Sequence, residues 1–427
     1  MADLDAVEST RTRWPERLRR WAPMFAAAVI IRLAYWAFVI PDWKPDADAD
    51  QYLRISRTIA DGGGFSLVYP QLELHPTSFR PPLYPYLLTP GSWIFGEAIW
   101  PARLLSVALG SVVVVLAGVI ATRIGGRLAG LVAAGAVTLY PPLLANDTIT
   151  LTEPLALALL LATIVLVDDD RWCWAGLAAG LLLLTRPNGY AVVAILAVWC
   201  WRRLDLRRAA ALGGVALLVL VPWLVRNQVQ VGTRRLTTSD GFTLAAVYGL
   251  PGREAGHFVD PASSREYEDL EYRLARFDEP VWNGLLLNDG IAGIREDPYH
   301  VWYVVRRNFR GYFDLSPELN EYPERVDGRD MDLREDVRPV FFVVTILGLI
   351  GLTTRWRDPR VIVLVGLTAQ FVVLSLLLVA PPRLRAPFDL ICCIGVGLLV
   401  AAIAERREGP TANEAVSPSL HGQEADL

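Results

Sequence analysis

The chain has 427 residues, 53% of them hydrophobic and 20% charged, with a formal net charge of −4 and a mean hydropathy of +0.33. That balance excludes an ordinary soluble domain and offers no basic surface for nucleic acid; it is the composition of a polytopic membrane protein. Lys44 is the only lysine, so the positive charge is almost all arginine, a bias expected of a GC-rich bacterial genome.

Residues 1–22 are polar and arginine-rich and read as a cytoplasmic N-terminal tail. No small-residue cleavage site follows, so the apolar run Pro23 to Ile40 reads as a retained first span rather than a signal peptide. It is the first of about ten apolar segments that reach, or nearly reach, bilayer length. The others cover 101–121, 128–144, 152–167, 172–186, 189–201, 209–225, 338–353, 361–380 and 386–404. The segments 172–186 and 189–201 are short and read as tilted or broken halves. The expected fold class is an all-α polytopic membrane protein. Residues 23–225 form a transmembrane core, 338–404 the C-terminal transmembrane helices, and 405–427 a polar, disordered tail.

Arginine sets the expected orientation. Arg11, Arg13, Arg17, Arg19 and Arg20 precede the first span, and Arg123 and Arg127 join the second and third. Arg202, Arg203, Arg207 and Arg208 precede the seventh; Arg355, Arg357 and Arg360 join the eighth and ninth; Arg406 and Arg407 follow the last. With ten spans all of these fall on one side, which the positive-inside rule makes cytoplasmic. Two long loops, 41–100 and 226–337, then fall outside.

The first loop opens on Pro45-Asp46-Ala47-Asp48-Ala49-Asp50-Gln51-Tyr52. Acid packed this densely at a membrane edge costs self-repulsion and desolvation, which points to a chemical use. Tyr52, Ile55, Ser56 and Ile59 recur at helical spacing and Gly62-Gly63-Gly64 ends the segment, so a short amphipathic interfacial helix is expected, with Asp50 at its N-cap and Asp48 just ahead. An EF-hand-like calcium loop starting at Asp46-x-Asp48-x-Asp50 is excluded, because Gln51 replaces the required glycine and Arg57 the final glutamate. In the second loop, Asp297-Pro298 opens an aromatic segment through Arg307 as a helix first turn does.

The four cysteines (Cys173, Cys200, Cys392, Cys393) all lie in apolar segments, and the four histidines are scattered singly, so neither a disulfide framework nor a Cys/His metal pattern is expected. Six of the fourteen tryptophans, Trp14, Trp93, Trp100, Trp223, Trp282 and Trp302, read as interfacial belt or packing residues rather than sugar platforms. Asn146-Asp147-Thr148 is a formal glycosylation sequon, discounted so close to the membrane.

Several motifs occur in a telling order. PDADADQY is followed by Ile59-Ala60-Asp61-Gly62-Gly63-Gly64-Phe65 and by Phe79-Arg80-Pro81-Pro82-Leu83-Tyr84-Pro85. Thr152-Glu153-Pro154-Leu155, Leu184-Thr185-Arg186-Pro187-Asn188-Gly189, Pro222-Trp223-Leu224-Val225-Arg226-Asn227 and Arg383-Leu384-Arg385-Ala386-Pro387-Phe388-Asp389 come after them. Together, over most of residues 25–400, they resemble GT-C glycosyltransferases of the family 39/83 type, relatives of the protein O-mannosyltransferases and the lipid A aminoarabinose transferase. The resemblance implies a polyprenyl-phosphate sugar donor, an inverting transfer on the external side of the bacterial cytoplasmic membrane, and an envelope glycan, lipid or protein as acceptor.

The residues suit that chemistry. Displacement at an anomeric carbon needs a carboxylate to take the acceptor proton, and a phosphate leaving group needs positive charge or a metal. Asp48 matches the first acid of the family's D-x-x-x-Y pattern, with Tyr52 as its tyrosine, and is the candidate base; Asp46 and Asp50 stand in reserve. Glu153 is a second acid on the same face, where the family sets an acid near donor or metal; its plainer reading is a charge favoured at a helix N-terminus. Arg80, Arg383 and Arg385, and more weakly Arg186 and Arg226, are outer-face arginines that run against the positive-inside trend and are candidates for the donor phosphate. Their plainer reading is headgroup snorkelling. No cofactor is required, and a divalent metal is left open. A lipid-linked-sugar transporter is the competing class, but transporters gather ionisable residues near the bilayer midplane, whereas here they gather at one boundary. A protein O-glycosyltransferase is a third reading.

Overall fold

The structure is a computed structural model that describes residues 2–187 and 206–408, with Val192, Val193, Ile195, Leu196 and Trp199 between them. The expected span 189–201 falls largely, and Arg202, Arg203 and most of the tail entirely, outside the described residues. The chain is helical nearly throughout. In order come α1 (Ala2–Phe38), α2 (Ala47–Ala60), α3 (Leu83–Phe95), α4 (Trp100–Leu139), α5 (Pro141–Asp147), α6 (Glu153–Asp168) and α7 (Trp172–Leu183). They are followed by α8 (Leu206–Gln230), α9 (Ser239–Tyr248), α10 (Glu279–Glu296), α11 (Pro298–Tyr312), α12 (Glu321–Val326), α13 (Met331–Thr354), α14 (Pro359–Leu377) and α15 (Ala386–Glu408). One small hairpin pairs Ser66–Leu67 antiparallel with His75–Pro76.

Among the described residues, six helices are long and apolar enough to cross a membrane. One of them, α4, breaks at Gly125–Gly126, where Gly126 has φ 81°. Its halves fold against each other, Gly118 facing Ala134 and Gly130 facing Thr122. The expected spans 101–121 and 128–144 are thus one helical hairpin. The expected spans 152–167 and 172–186 correspond to α6 and α7, which at 16 and 12 residues are shorter than an upright crossing needs. Among the described residues the expected segments are six long apolar helices, one of them folded back on itself, and these two short ones.

The core is built where α4 packs on α15 and α6, and α13 on α15. α13 and α15 approach at Gly348, Gly351 and Gly395, where an added Cβ would lie 1.8–2.4 Å from the facing backbone. Small residues allow this closeness, and dispersion then holds helices that lipid cannot drive together by hydrophobicity. α6 separates two groups of charge. Asp168 and Asp169 at its C-terminal end pair with Arg123, and Asp168 with Arg360. Glu153 stands at the other end, about 24 Å away at 1.5 Å per residue.

The two long loops form one cap. Glu279, 3% exposed at the start of α10, accepts bonds from Thr77 Oγ1 at 2.5 Å, Ser78 N–H and Oγ at 2.8 Å, and Thr238 Oγ1 at 2.5 Å. His75 Nε2 lies 3.2 Å away. Arg276 donates to Pro70 O and Tyr69 OH to Asp260. The aromatic segment after Asp297 is α11, opened by Pro298 as expected and capped by the Asp297 carboxylate. Trp223 and Trp282 are buried, while Trp93, Trp100 and Trp302 are exposed.

Candidate active site

α2 divides the acid cluster by position. Asp46, not Asp50, is the N-cap: its carboxylate accepts from the Ala47 N–H at 2.7 Å, and the helix starts one turn earlier than the sequence reading expects. Alanine between the acids keeps helix propensity high and first-turn carboxylates are favoured by the helix dipole, which offsets the positive φ of 44° at Ala47. Asp50 turns outward and pairs with Arg54 at 2.5 Å. Asp48 lies on the inward face with Gln51, Tyr52 and Ile55.

Asp48 sits between two guanidiniums. Arg80 Nη2 donates to its Oδ1, and Arg383 Nη2 donates to its Oδ2 at 2.5 Å. Arg80 also donates through Nε to Gln51 at 2.6 Å, and its guanidinium stands 5.7 Å from the Tyr52 ring centroid. Tyr52 itself is 5% exposed and packs edge-on against Tyr84. Glu153, the first residue of α6, accepts from Arg186 Nη2 at 2.5 Å and lies 3.9 Å from Arg383 Nε.

A further acid completes the cluster. Asp327 Oδ1 lies 3.3 Å from Arg383 Nη1. Sequence reasoning left this residue unassigned, since an Asp-Gly pair inside the unmatched second loop signals only a turn. Arg329, from the same turn, donates to Asn146 Oδ1 at 2.9 Å. Asn146 in turn donates to the Arg383 carbonyl at 3.5 Å, so it serves as a structural tie. Its neighbour Asp147 is buried in an ion pair with Arg32 of α1, 2.6 Å apart, with side chains 4% and 0% exposed.

Burial alone would raise the Asp48 carboxyl, but the Arg80 and Arg383 guanidiniums outweigh it and hold the group well below the usual carboxylate range. Asp327 goes the other way: burial outweighs Arg383 and Arg329 and pushes it up to about 6. Four polar atoms of the cluster are buried without a partner: Glu153 Oε2, Asp327 Oδ2, Arg186 Nε and Arg383 Nε. Their residues line a cavity of about 2190 Å³ that runs from the start of α2, past Glu153 and Arg186, to α11 and the C-terminal end of α14. Buried polar atoms without partners mark where a polar ligand would be held.

Two predicted phosphate ligands do not reach this cavity. Arg385 is buried, pairs with Asp389 at 3.1 Å, donates to Tyr312 O at 3.0 Å and lies over the Phe341 ring. The residues of the Arg-x-Arg pair point apart because they lie on a short 3-10 helix rather than a strand. Arg226 donates to the carbonyls of Thr77 and Phe65 and stacks on Trp223, which ties α8 to the first loop. No group of three or more His, Cys, Asp or Glu among the described residues is arranged to hold a metal ion. Asp48, Glu153 and Asp327 are instead arranged around Arg383, so the donor set suits a guanidinium rather than a metal.

Comparison with known proteins agrees with this architecture. The family model described as dolichyl-phosphate-mannose-protein mannosyltransferase matches residues 79–225. No curated protein matches the sequence significantly. Among solved structures, the Archaeoglobus fulgidus oligosaccharyltransferase AglB in complex with an inhibitory peptide and a dolichol-phosphate is 12% identical, with a TM-score of 0.52 over 94% of this chain and 52% of that one. The same archaeal enzyme in complex with Zn and sulfate gives 13% identity and a TM-score of 0.50, covering 92% of this chain and 50% of that one. ArnT from Cupriavidus metallidurans bound to undecaprenyl phosphate is 17% identical over 93% of this chain and 81% of that one, with a TM-score of 0.39. The chain spans about half the length of the archaeal enzyme, and what they share is the fold. The chain thus has the fold of that archaeal enzyme, and its residues 79–225 are similar to the mannosyltransferase family model.

Proposed function

We propose that the chain moves one sugar, with inversion, from a polyprenyl-phosphate donor to an envelope glycan, lipid or protein acceptor at the outer face of the bacterial cytoplasmic membrane. Asp48 is the base. It takes the acceptor hydroxyl proton as the acceptor oxygen bonds to the anomeric carbon. The bond from that carbon to the phosphate oxygen breaks, its electron pair stays on the phosphate, and Arg80, Arg186 and Arg383 receive the added charge. A carboxylate held this far down is a weak base. A phosphate that draws the arginines away leaves Asp48 ionised but less stabilised, and its basicity rises when it is needed.

The observation that carries this reading is Asp48 bridged by Arg80 and Arg383 on the wall of a large cavity. The dolichol-phosphate held by the archaeal structure of the same fold supports a lipid phosphate as donor. Purified protein in liposomes, supplied with a polyprenyl-phosphate sugar and envelope lipid or glycan extract, tests it. Labelled sugar on an acceptor is the expected result, and lipid-linked sugar crossing the bilayer with no product would refute it.

A further inference from the structure

We infer that Asp327 is a positioning residue for the transfer: it holds Arg383 in the site while that arginine leaves Asp48 for the donor phosphate. The inference rests on the proposed transferase reading and extends it to a residue outside the family motifs of the chain.

Arg383 is shared rather than paired. Nη2 is on Asp48 at 2.5 Å, Nη1 faces Asp327 at 3.3 Å, and Nε makes no hydrogen bond and stands 3.9 Å from Glu153. An arginine held by Asp48 alone has two unfavourable choices when phosphate arrives. It can stay and keep the base suppressed, or leave and give up its anchor. A second carboxylate on the opposite nitrogen removes that conflict.

The turn that carries Asp327 is fixed from several sides, as an anchor must be. The Asp327 N–H closes α12 on the Pro323 carbonyl at 3.0 Å. Gly328 has φ 71°, and an added Cβ would come within 1.9 Å of the Trp43 ring, just ahead of the acid helix. Arg329 is tied to Asn146 of α5. Glu324 of α12 accepts from Arg334 of α13 at 2.7 Å, and Arg334 also reaches Asp314 at 2.5 Å. Asp327 is 7% exposed and lines the cavity, and its Oδ2 is buried without a hydrogen bond.

Charge gives the same account. Three carboxylates (Asp48, Glu153, Asp327) meet the guanidiniums of Arg80, Arg186 and Arg383. Asp327 also meets Arg329 of its own turn, while Glu153 of α6 and Asp48 of α2 repel it. Its carboxyl titrates at about 6 in this setting. Ionised, it holds Arg383; protonated, it releases Arg383 to Asp48 and slows the chemistry.

Steady-state transfer by Asp327→Asn protein, read from pH 5 to 8, tests this. The expected result is a roughly 10-fold or larger fall in kcat with no rise in donor KM, since a negative charge near the phosphate has been removed. The acid limb of the wild-type profile, with its midpoint near 6, should flatten. Undecaprenyl phosphate should bind the variant at least as tightly as wild type. A wild-type kcat, a kcat loss matched by weaker phosphate binding, or an unchanged acid limb would overturn the inference. Should the asparagine variant not fold, Asp327→Glu decides alone: it should keep kcat within about 3-fold and move the acid limb, and a limb that stays put counts against the anchor. Asp48→Asn is run alongside. Transfer retained there sinks the proposed base, whereas its loss beside a wild-type-like Asp327→Asn sinks only the anchor.

Discussion

Arg383 and Asp48 meet at 2.5 Å although 335 residues separate them in the chain. The pair closes the last helix segment onto the first long loop. Neither residue has its role without the other: alone, Asp48 is a buried acid pushed upward, and Arg383 is a guanidinium among three carboxylates.

Replacing Arg383 should therefore do more than weaken donor binding. Arg383→Ala leaves Asp48, Glu153 and Asp327 without their shared counter-charge. Transfer should fall by roughly 100-fold or more, as for removal of a preorganised charge-stabilising donor. Arg383→Lys should recover little, because one ammonium cannot serve three directions at once. Transfer rates in membranes with matched protein levels check this.

The acid cluster should separate by function. Asp48→Asn should lower transfer by about 100-fold to 10,000-fold, the usual range for a general base. Asp46→Ala should cost about 1 kcal/mol of stability through loss of a cap, with transfer retained. Asp50→Ala should change little, since its pair with Arg54, whose side chains are 32% and 65% exposed, is worth at most about 0.5 kcal/mol. Equal losses in all three variants would contradict the division.

Arg32 and Asp147 test the frame beneath the site. Arg32→Ala should lower stability by about 3–5 kcal/mol because it strands a buried carboxylate. The double variant Arg32→Leu with Asp147→Leu should recover much of that loss. Thermal unfolding in detergent reads both. A single variant as stable as wild type would show that the pair is not a tie.

Gly328→Ala should destabilise the Asp327 turn by at least 1 kcal/mol, from the left-handed backbone alone, with the Trp43 collision added. Trp43→Ala in the same chain should relieve the collision but not the backbone cost, so partial recovery of the melting temperature is the expected reading.

The cap should respond to pH at both ends. For Glu279, burial opposes ionisation, but bonds from His75, Thr238, Thr77 and Ser78 prevail and hold its pKa below 4.5. Its contribution is therefore present above the unfolded value and is lost as pH falls through the lower folded one. For His75, burial opposes the cation, but the Glu279 and Glu73 carbonyl bonds prevail and raise its pKa above 6.5. Its contribution is full below 6.5 and lost as pH rises through the raised value. Melting temperature against pH should show both shoulders. His75→Asn should erase the upper one and shrink the lower, because the His75 bond is the largest of those holding Glu279 down.

Much of this was legible in the residues themselves. Apolar length and arginine bias marked a multi-helix membrane protein with charge sorted to two ends, and motif order pointed to Asp48, Arg80, Glu153 and Arg186, which the fold brings to one cavity wall. Those signals are local: hydropathy, helix period and short spacings survive in one dimension. Three features were decided only in three dimensions. The N-cap moved from Asp50 to Asp46 because alanine lets the helix start a turn sooner. Arg385 and Arg226 left the site because their guanidiniums found nearer carboxylate, carbonyl and aromatic partners. Asp327, Arg329 and Asn146 entered it through long-range hydrogen bonds and ion pairs that no spacing rule encodes. By itself the sequence determined the class of protein and most of the acid–arginine inventory. The tertiary structure decided which arginine meets which acid, because buried charge settles wherever packing supplies its counter-charge.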